Sequence, residues 1–151
     1  MFKSKITLLI SIVSVFLFSS HVIAANHELE MLNKLGKERM VFSKKMISID
    51  LNDEVLWKSV DKGHNVQFIG MPDGAKKYKS KISKDASYKF EKPGVYLYQC
   101  TPHKAMGMIG IVVVGNNKSN LEKIKKVNGK ESTEAKSIFL YLMNKIPKIL
   151  I

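Results

Sequence analysis

Cys100, His103, Met106 and Met108 fall within the nine residues Cys100-Thr101-Pro102-His103-Lys104-Ala105-Met106-Gly107-Met108. A thiolate, an imidazole and two thioethers this close together point to a soft metal. Sulfur ligands suit Cu(I), and imidazole suits both copper oxidation states. Cys100 is the only cysteine, so it cannot form an internal disulfide. It is a free thiol, an intermolecular bridge or a metal ligand. Taken singly, a buried Cys is usually a small hydrophobe and a Met is usually core filler. The order and spacing of the set favour ligation. Two His and one Cys in a trigonal site, with a distant axial Met, make the blue-copper arrangement, which needs a second His. His64, in Asp61-Lys62-Gly63-His64-Asn65-Val66, supplies it. On the residues alone, the axial thioether stays open between Met106 and Met108. His21 and His27 lie in and just after an apolar leader and are set aside.

Such a set must be held at one end of a rigid scaffold. From about Glu28 to Gly115 the chain reads as short strands: Glu28–Leu32, Val41–Asp50, Glu54–Val60, Ser87–Glu91, Val95–Gln99 and Met108–Val114. Asn52-Asp53, Asp61-Lys62-Gly63, Pro72-Asp73-Gly74 and Lys92-Pro93-Gly94 mark turns. This pattern predicts a mainly β, Greek-key sandwich in which the His64 and Cys100 loops meet at one end. From about residue 119 the pattern turns helical. Ser119 or Asn120 is placed to cap Leu121–Val127, which Asn128-Gly129 ends. A second helix starts at Ser132-Thr133 and runs to about Ile146, where Pro147 closes it. Its apolar stripe is Ala135, Ile138, Phe139, Tyr141, Leu142 and Ile146. The two helices are expected to fold onto the sandwich as the tail of one domain spanning 25–151.

Lys3 and Lys5, the apolar run Ile6 to Phe18, and Val22-Ile23-Ala24-Ala25 have the three-part form of a secretory signal peptide over 1–24. Spacing supports cleavage after Ala24 or Ala25 equally. The apolar run falls short of the ~20 residues of a spanning helix, so no membrane insertion is expected. The net charge is +12, which favours anionic partners. Export argues against nucleic acid and leaves a membrane surface or an acidic protein as the anionic partner of a soluble, monomeric mature chain.

The copper run, continued by Gly110 and Val113-Val114-Gly115, resembles that of the pseudoazurins, within the cupredoxin superfamily. Met31-Leu32-Asn33-Lys34, Met40-Val41-Phe42, Asp61 to Val66, Pro72-Asp73-Gly74-Ala75, Lys79-Ser80-Lys81-Ile82 and Pro93-Gly94-Val95-Tyr96 share the resemblance, which covers essentially the whole mature chain. It implies a cupredoxin-like sandwich with two C-terminal α-helices and one type 1 copper ion. By position, His64, Cys100 and His103 match the equatorial ligands and Met108 the axial one, with Met106 the competitor. Asn65 matches a residue that ties the ligand loops together, and Met40 one that lies near the exposed ligand His.

The resemblance further implies a periplasmic electron carrier, not an enzyme. It would form transient complexes with acidic redox partners such as copper nitrite reductase or a c-type cytochrome. Pro102, Ala105 and Met106 would form an apolar patch around His103. Lys34, Lys37, Lys62, Lys76, Lys77, Lys79, Lys81 and Lys104 would steer the partner. The rival reading is a copper carrier or storage protein without redox duty, and carriers favour exposed Met-rich or Cys-rich sites. A copper reductase would need a second metal site. The chain departs from the family pattern in a shorter Val66–Pro72 segment, in Lys104-Ala105 and in Gln99.

Overall fold

The computed structural model describes residues 24–127 and 133–149, with the backbone alone at 133–135 and 147–149. The leader up to Ile23, Asn128-Gly129 and Ser132 lie outside the described residues.

Two four-stranded sheets face each other. The first, in the order β2-β1-β4-β6, holds β1 (Asn26–Leu35), β2 (Glu38–Phe42), β4 (Glu54–Lys58) and β6 (Ala86–Lys89). The second, β3-β8-β7-β5, holds β3 (Met46–Ile49), β5 (Gln67–Gly70), β7 (Gly94–Gln99) and β8 (Ile109–Val114). β1 runs parallel to β4, and β3 parallel to β8; the other pairs are antiparallel. Parallel neighbours cannot be joined by a hairpin, so the chain crosses repeatedly between the sheets, which gives the expected Greek-key sandwich. Two helices follow, α1 (Leu121–Val127) and α2 (Thr133–Ile149).

The strand expectations need two corrections. Val41–Asp50 is two strands in different sheets, not one. β2 pairs with β1, and β3 with β8, while Ser43-Lys44-Lys45 carries the chain across. Ser43 fixes that crossing: its N–H donates to the Glu30 carbonyl at 2.9 Å, and its Oγ accepts the Glu30 N–H at 2.8 Å. β5 was not foreseen. Its Gly70 looks like a turn residue, yet a Cβ there would lie 2.7 Å from Ile124 Cδ1. The glycine serves the close approach of α1 to the strand, and β5 also shifts register between Phe68 and Gly70.

Side chains alternate along β7 and β8, so each strand serves two cores. Tyr96, Tyr98, Cys100, Met108, Val112 and Val114 point between the sheets, where Trp57, Phe68 and Phe90 stack edge-on among them. Val95, Leu97, Ile109, Ile111 and Val113 point outward under Ile124, Phe139, Leu142, Met143 and Ile146. The helices therefore cover the second sheet, and β7 and β8 are buried on both faces.

The tail holds further differences. The Asn120 side chain does not cap α1; it accepts the Val95 N–H at 2.9 Å and donates to the Val95 carbonyl at 2.8 Å, pinning α1 to β7. In α2, Phe139, Leu142 and Ile146 are buried and Ile138 is half-buried, as expected, but Tyr141 is exposed, and Met143, which was not expected in the stripe, is buried. The helix continues past Pro147 to Ile149. A proline forfeits one backbone bond, and in a final turn that loss ends nothing by itself. Ala135 belongs to the part of α2 described by backbone alone.

Candidate metal centre

Cys100 follows directly on β7, which is buried on both faces, and the chain then turns back into β8. The turn is closed by its own backbone. The His103 N–H donates to the Cys100 carbonyl at 3.2 Å, the Met106 N–H to the His103 carbonyl at 3.0 Å, and the Cys100 N–H to the Met108 carbonyl at 2.9 Å. A single 3-10 turn, Lys104–Met106, fills the middle. His64 arrives on the connection from β4 to β5. Gly63 precedes it at φ +91, a left-handed value suited to glycine, with its Cβ position 4.0 Å from His103 Cε1.

Ligand-capable atoms of His64, Cys100 and His103 lie within 4.8 Å of one another. Cys100 Sγ is 3.7 Å from His64 Nδ1 and 3.4 Å from His103 Nδ1, and the two imidazole centroids are 4.8 Å apart. Both rings thus turn Nδ1 toward the thiol. His64 and Cys100 are fully buried, whereas His103 is only partly covered. Met108 is 1% exposed and packs in the same cluster as Cys100, while Met106 is 42% exposed. The structure brings His64, Cys100, His103 and Met108 to one end of the inter-sheet core and leaves Met106 on the surface.

The electrostatics suit a cation. Burial pushes the Cys100 thiol up, against the effect of its contacts with Asn65 and His103. Burial, reinforced by His103, holds the His64 imidazole down against the pull of Asp61. A neutral imidazole is ready to ligate, and a bound cation makes up for burying a thiolate. The donor set tests which metal fits. Two imidazoles and one thiolate would also accept zinc. A buried thioether in the same cluster, with no carboxylate in the group, suits copper.

Neighbouring side chains lock this geometry. Asn65 Oδ1 accepts both the Thr101 N–H at 2.8 Å and the Thr101 hydroxyl at 2.7 Å, which ties the His64 loop to the Cys100 loop. Asn33 was not foreseen as part of the site. Its Oδ1 lies 2.9 Å from His64 Nε2, and with Nε2 donating there, Nδ1 is left free to ligate. Asn33 lies 31 residues before His64; its only trace in the sequence is its place within one of the segments shared with the pseudoazurins. Ser83 closes the far side, its Oγ accepting the Gly63 N–H at 2.9 Å and its N–H donating to the His64 carbonyl at 2.9 Å.

Pro102, Ala105 and Met106 are exposed beside His103. Met40, at φ 49, lines one cavity with Met106, Gly107 and Ile138 next to the copper-type loop. The eight lysines are all exposed. Lys34 and Lys37 sit at the β1–β2 turn, and Lys62 and Lys104 on the ligand loops. Lys76, Lys77, Lys79 and Lys81 follow β5, and Lys77 lines a cleft with Gly70, Pro72 and Lys123 on the α1 side. Among the described residues, no helix is long and apolar enough to cross a membrane.

Comparison with known proteins agrees with this geometry. Residues 29–115 match the family model for copper binding proteins of the plastocyanin/azurin family. A putative pseudoazurin of Rhizobium leguminosarum bv. viciae is 39% identical over 123 residues, covering 80% of this chain and 81% of that one. The pseudoazurin of Methylorubrum extorquens is 41% identical over 107 residues, 70% of this chain and 72% of that one. The crystal structure of pseudoazurin from Methylobacterium extorquens AM1 superposes with a TM-score of 0.75 at 34% identity, covering 80% of this chain and 98% of that one.

Proposed function

The chain belongs to the pseudoazurins, within the plastocyanin/azurin family of copper-binding proteins, and from that premise we propose how it holds copper and with whom it exchanges electrons. It is a copper electron-transfer protein. His64, Cys100 and His103 are its equatorial ligands and Met108 is the axial one. When bound, copper supplies a one-electron change between Cu(I) and Cu(II).

The chain's own residues keep that change cheap. Asn65 and Asn33 hold the His64 ring and the Cys100 loop in place, so neither moves as the charge changes. Packing around Met108 and Cys100 excludes water from the inner side. The single observation that carries the ligand assignment is the convergence of His64, Cys100 and His103, two of them fully buried, with Met108 buried beside them and Met106 exposed. Side chains would fill every coordination position, leaving none open for a substrate, which argues against catalysis by this domain alone.

Half-buried His103, among Pro102, Ala105 and Met106, is the exit for the electron. The lysines nearest it in the chain and on the β1–β2 turn, Lys104, Lys62, Lys34 and Lys37, steer an acidic partner into a small, short-lived complex. Lys76, Lys77, Lys79 and Lys81 contribute to the wider positive field. The partner is a periplasmic redox protein, a copper nitrite reductase or a c-type cytochrome, and the leader over 1–24 takes the chain to that compartment.

Voltammetry of the copper-loaded mature protein tests this reading. A reversible one-electron couple, with exchange to an acidic partner that slows as salt rises, is expected. Copper bound without a reversible couple would favour the carrier reading.

A further inference from the structure

Away from the proposed copper ligands, a buried carboxylate is surrounded by donors that the redox chemistry does not use. Asp53, in the turn between β3 and β4, is 3% exposed. Its Oδ1 accepts the Ala25 N–H at 2.7 Å. Its Oδ2 accepts the Asp50 N–H at 3.1 Å and lies 2.8 Å from His27 Nε2. The Ala25 carbonyl in turn accepts the Glu54 N–H at 3.0 Å. Ala25 is therefore gripped on both sides immediately before β1, while Ala24 and Ala25 themselves stay exposed. A buried carboxylate is costly unless its charge is met. Among the described residues, its ion-pair neighbour is His27, which carries charge only when protonated.

We infer that the Ala24–Ala25 bond is the one cut when the leader is removed, and that Asp53 is placed to receive the α-ammonium this cut creates. Water adds across the peptide bond in the hands of a leader peptidase. Ala24 leaves with the new carboxylate, and the Ala25 nitrogen takes up protons to become the ammonium. Before the cut, the same nitrogen is a neutral amide with one hydrogen to donate. Afterwards the 2.7 Å contact is a charge-assisted one. Cutting one bond later would delete both the donor to Asp53 and the acceptor for Glu54. Leader removal thus completes the clasp that holds β1 against β4, and the chain reaches full stability only after export. This inference rests on the export reading.

The test begins with the intact mass of copper-loaded protein recovered from the periplasm of a bacterium expressing the full chain. A chain beginning at Ala25 is expected; one beginning at Asn26 or elsewhere overturns the inference alone, and an uncut or unexported chain overturns the export reading with it. The Ala25-start protein is then compared with the same protein acetylated selectively at its α-amine, which keeps an N–H and loses the charge. The acetylated form should unfold at a lower denaturant midpoint, and Asp53→Asn should erase the difference. If Asp53→Asn does not fold, NMR titration of the free α-amine serves instead, with a value raised above the ordinary ~7.7–8.0 expected. Equal midpoints for the free and acetylated forms, or an unraised amine, overturn the inference.

Discussion

The two faces of the β7–β8 pair do different work. The inner face, packed with Trp57, Tyr96, Tyr98 and Phe90, ends in Cys100 and Met108. The outer face is aliphatic but for Phe139, Met143 and half-buried Met46, and carries no proposed ligand. One pair of strands therefore serves a core that positions the metal and a core that only anchors the helices. Side-chain parity along a strand thus separates packing that places the proposed ligands from packing that only adds stability.

The largest expected effect tests that separation. Trp57→Ala, on the inner face, should cost about 3–5 kcal/mol, and Leu142→Ala, on the outer, about 2–5 kcal/mol. In copper-loaded protein, only the former should also shift the visible band. Denaturant melts read alongside spectra check this, and a band shift of equal size in Leu142→Ala would mean the faces are coupled.

Asn65→Ala comes next. It strips the acceptor from the Thr101 N–H and hydroxyl, and should cost about 1–3 kcal/mol. Because Asn65 joins the ligand loops, the reduction potential should move as well, which voltammetry would record. An unchanged potential would confine Asn65 to a structural role.

Asp53 provides a control remote from the ligand set. Burial alone would raise its carboxyl, but hydrogen bonds from His27, Ala25 and Asp50 hold it below its ordinary value. Its contribution is therefore present above the ordinary carboxylate pKa of about 3.9 and is lost as pH falls through the lower folded value. Asp53→Asn should flatten the acid limb of stability by about 1–3 kcal/mol and leave the visible band unmoved. Acid melts of the two proteins that superimpose would contradict this.

Met108→Gln, a change of similar length and shape, should keep copper yet shift band and potential clearly, and should cost more stability than a change at exposed Met106. Met106→Gln, at an exposed position, should do little to either. The reverse pattern would exchange the axial assignment.

The proposed equatorial set was legible because its chemistry is rare and Cys100 and His103 sit in one short run, but types and spacing left the axial thioether open between Met106 and Met108, and only the family resemblance favoured Met108. His64 was legible because one more His was needed. Asn33 was not legible as the orienter of His64, since that pairing depends on how β1 lies beside the His64 loop. The sheet change at Ser43–Lys45 went unread because that polar run carries no Gly, Pro, Asn or Asp turn signal, and a strand's pattern does not say which sheet it joins. β5 is only the four residues Gln67–Gly70, too short for its pattern to stand out, and the reason for its final glycine, the approach of Ile124, lies in a helix far along the chain. Tyr141 fitted the apolar stripe of α2 by spacing, but its polar hydroxyl lets it stay at the surface, where Lys145 lies 4.5 Å over its ring.

The most direct test of the ligand assignment is the visible spectrum of the mature protein loaded with Cu(II), before and after ascorbate. An intense thiolate-to-copper band that bleaches on reduction, and is missing from Cys100→Ser, is the predicted result. Full copper occupancy without that band would mean that Cys100 is not a ligand of the type proposed.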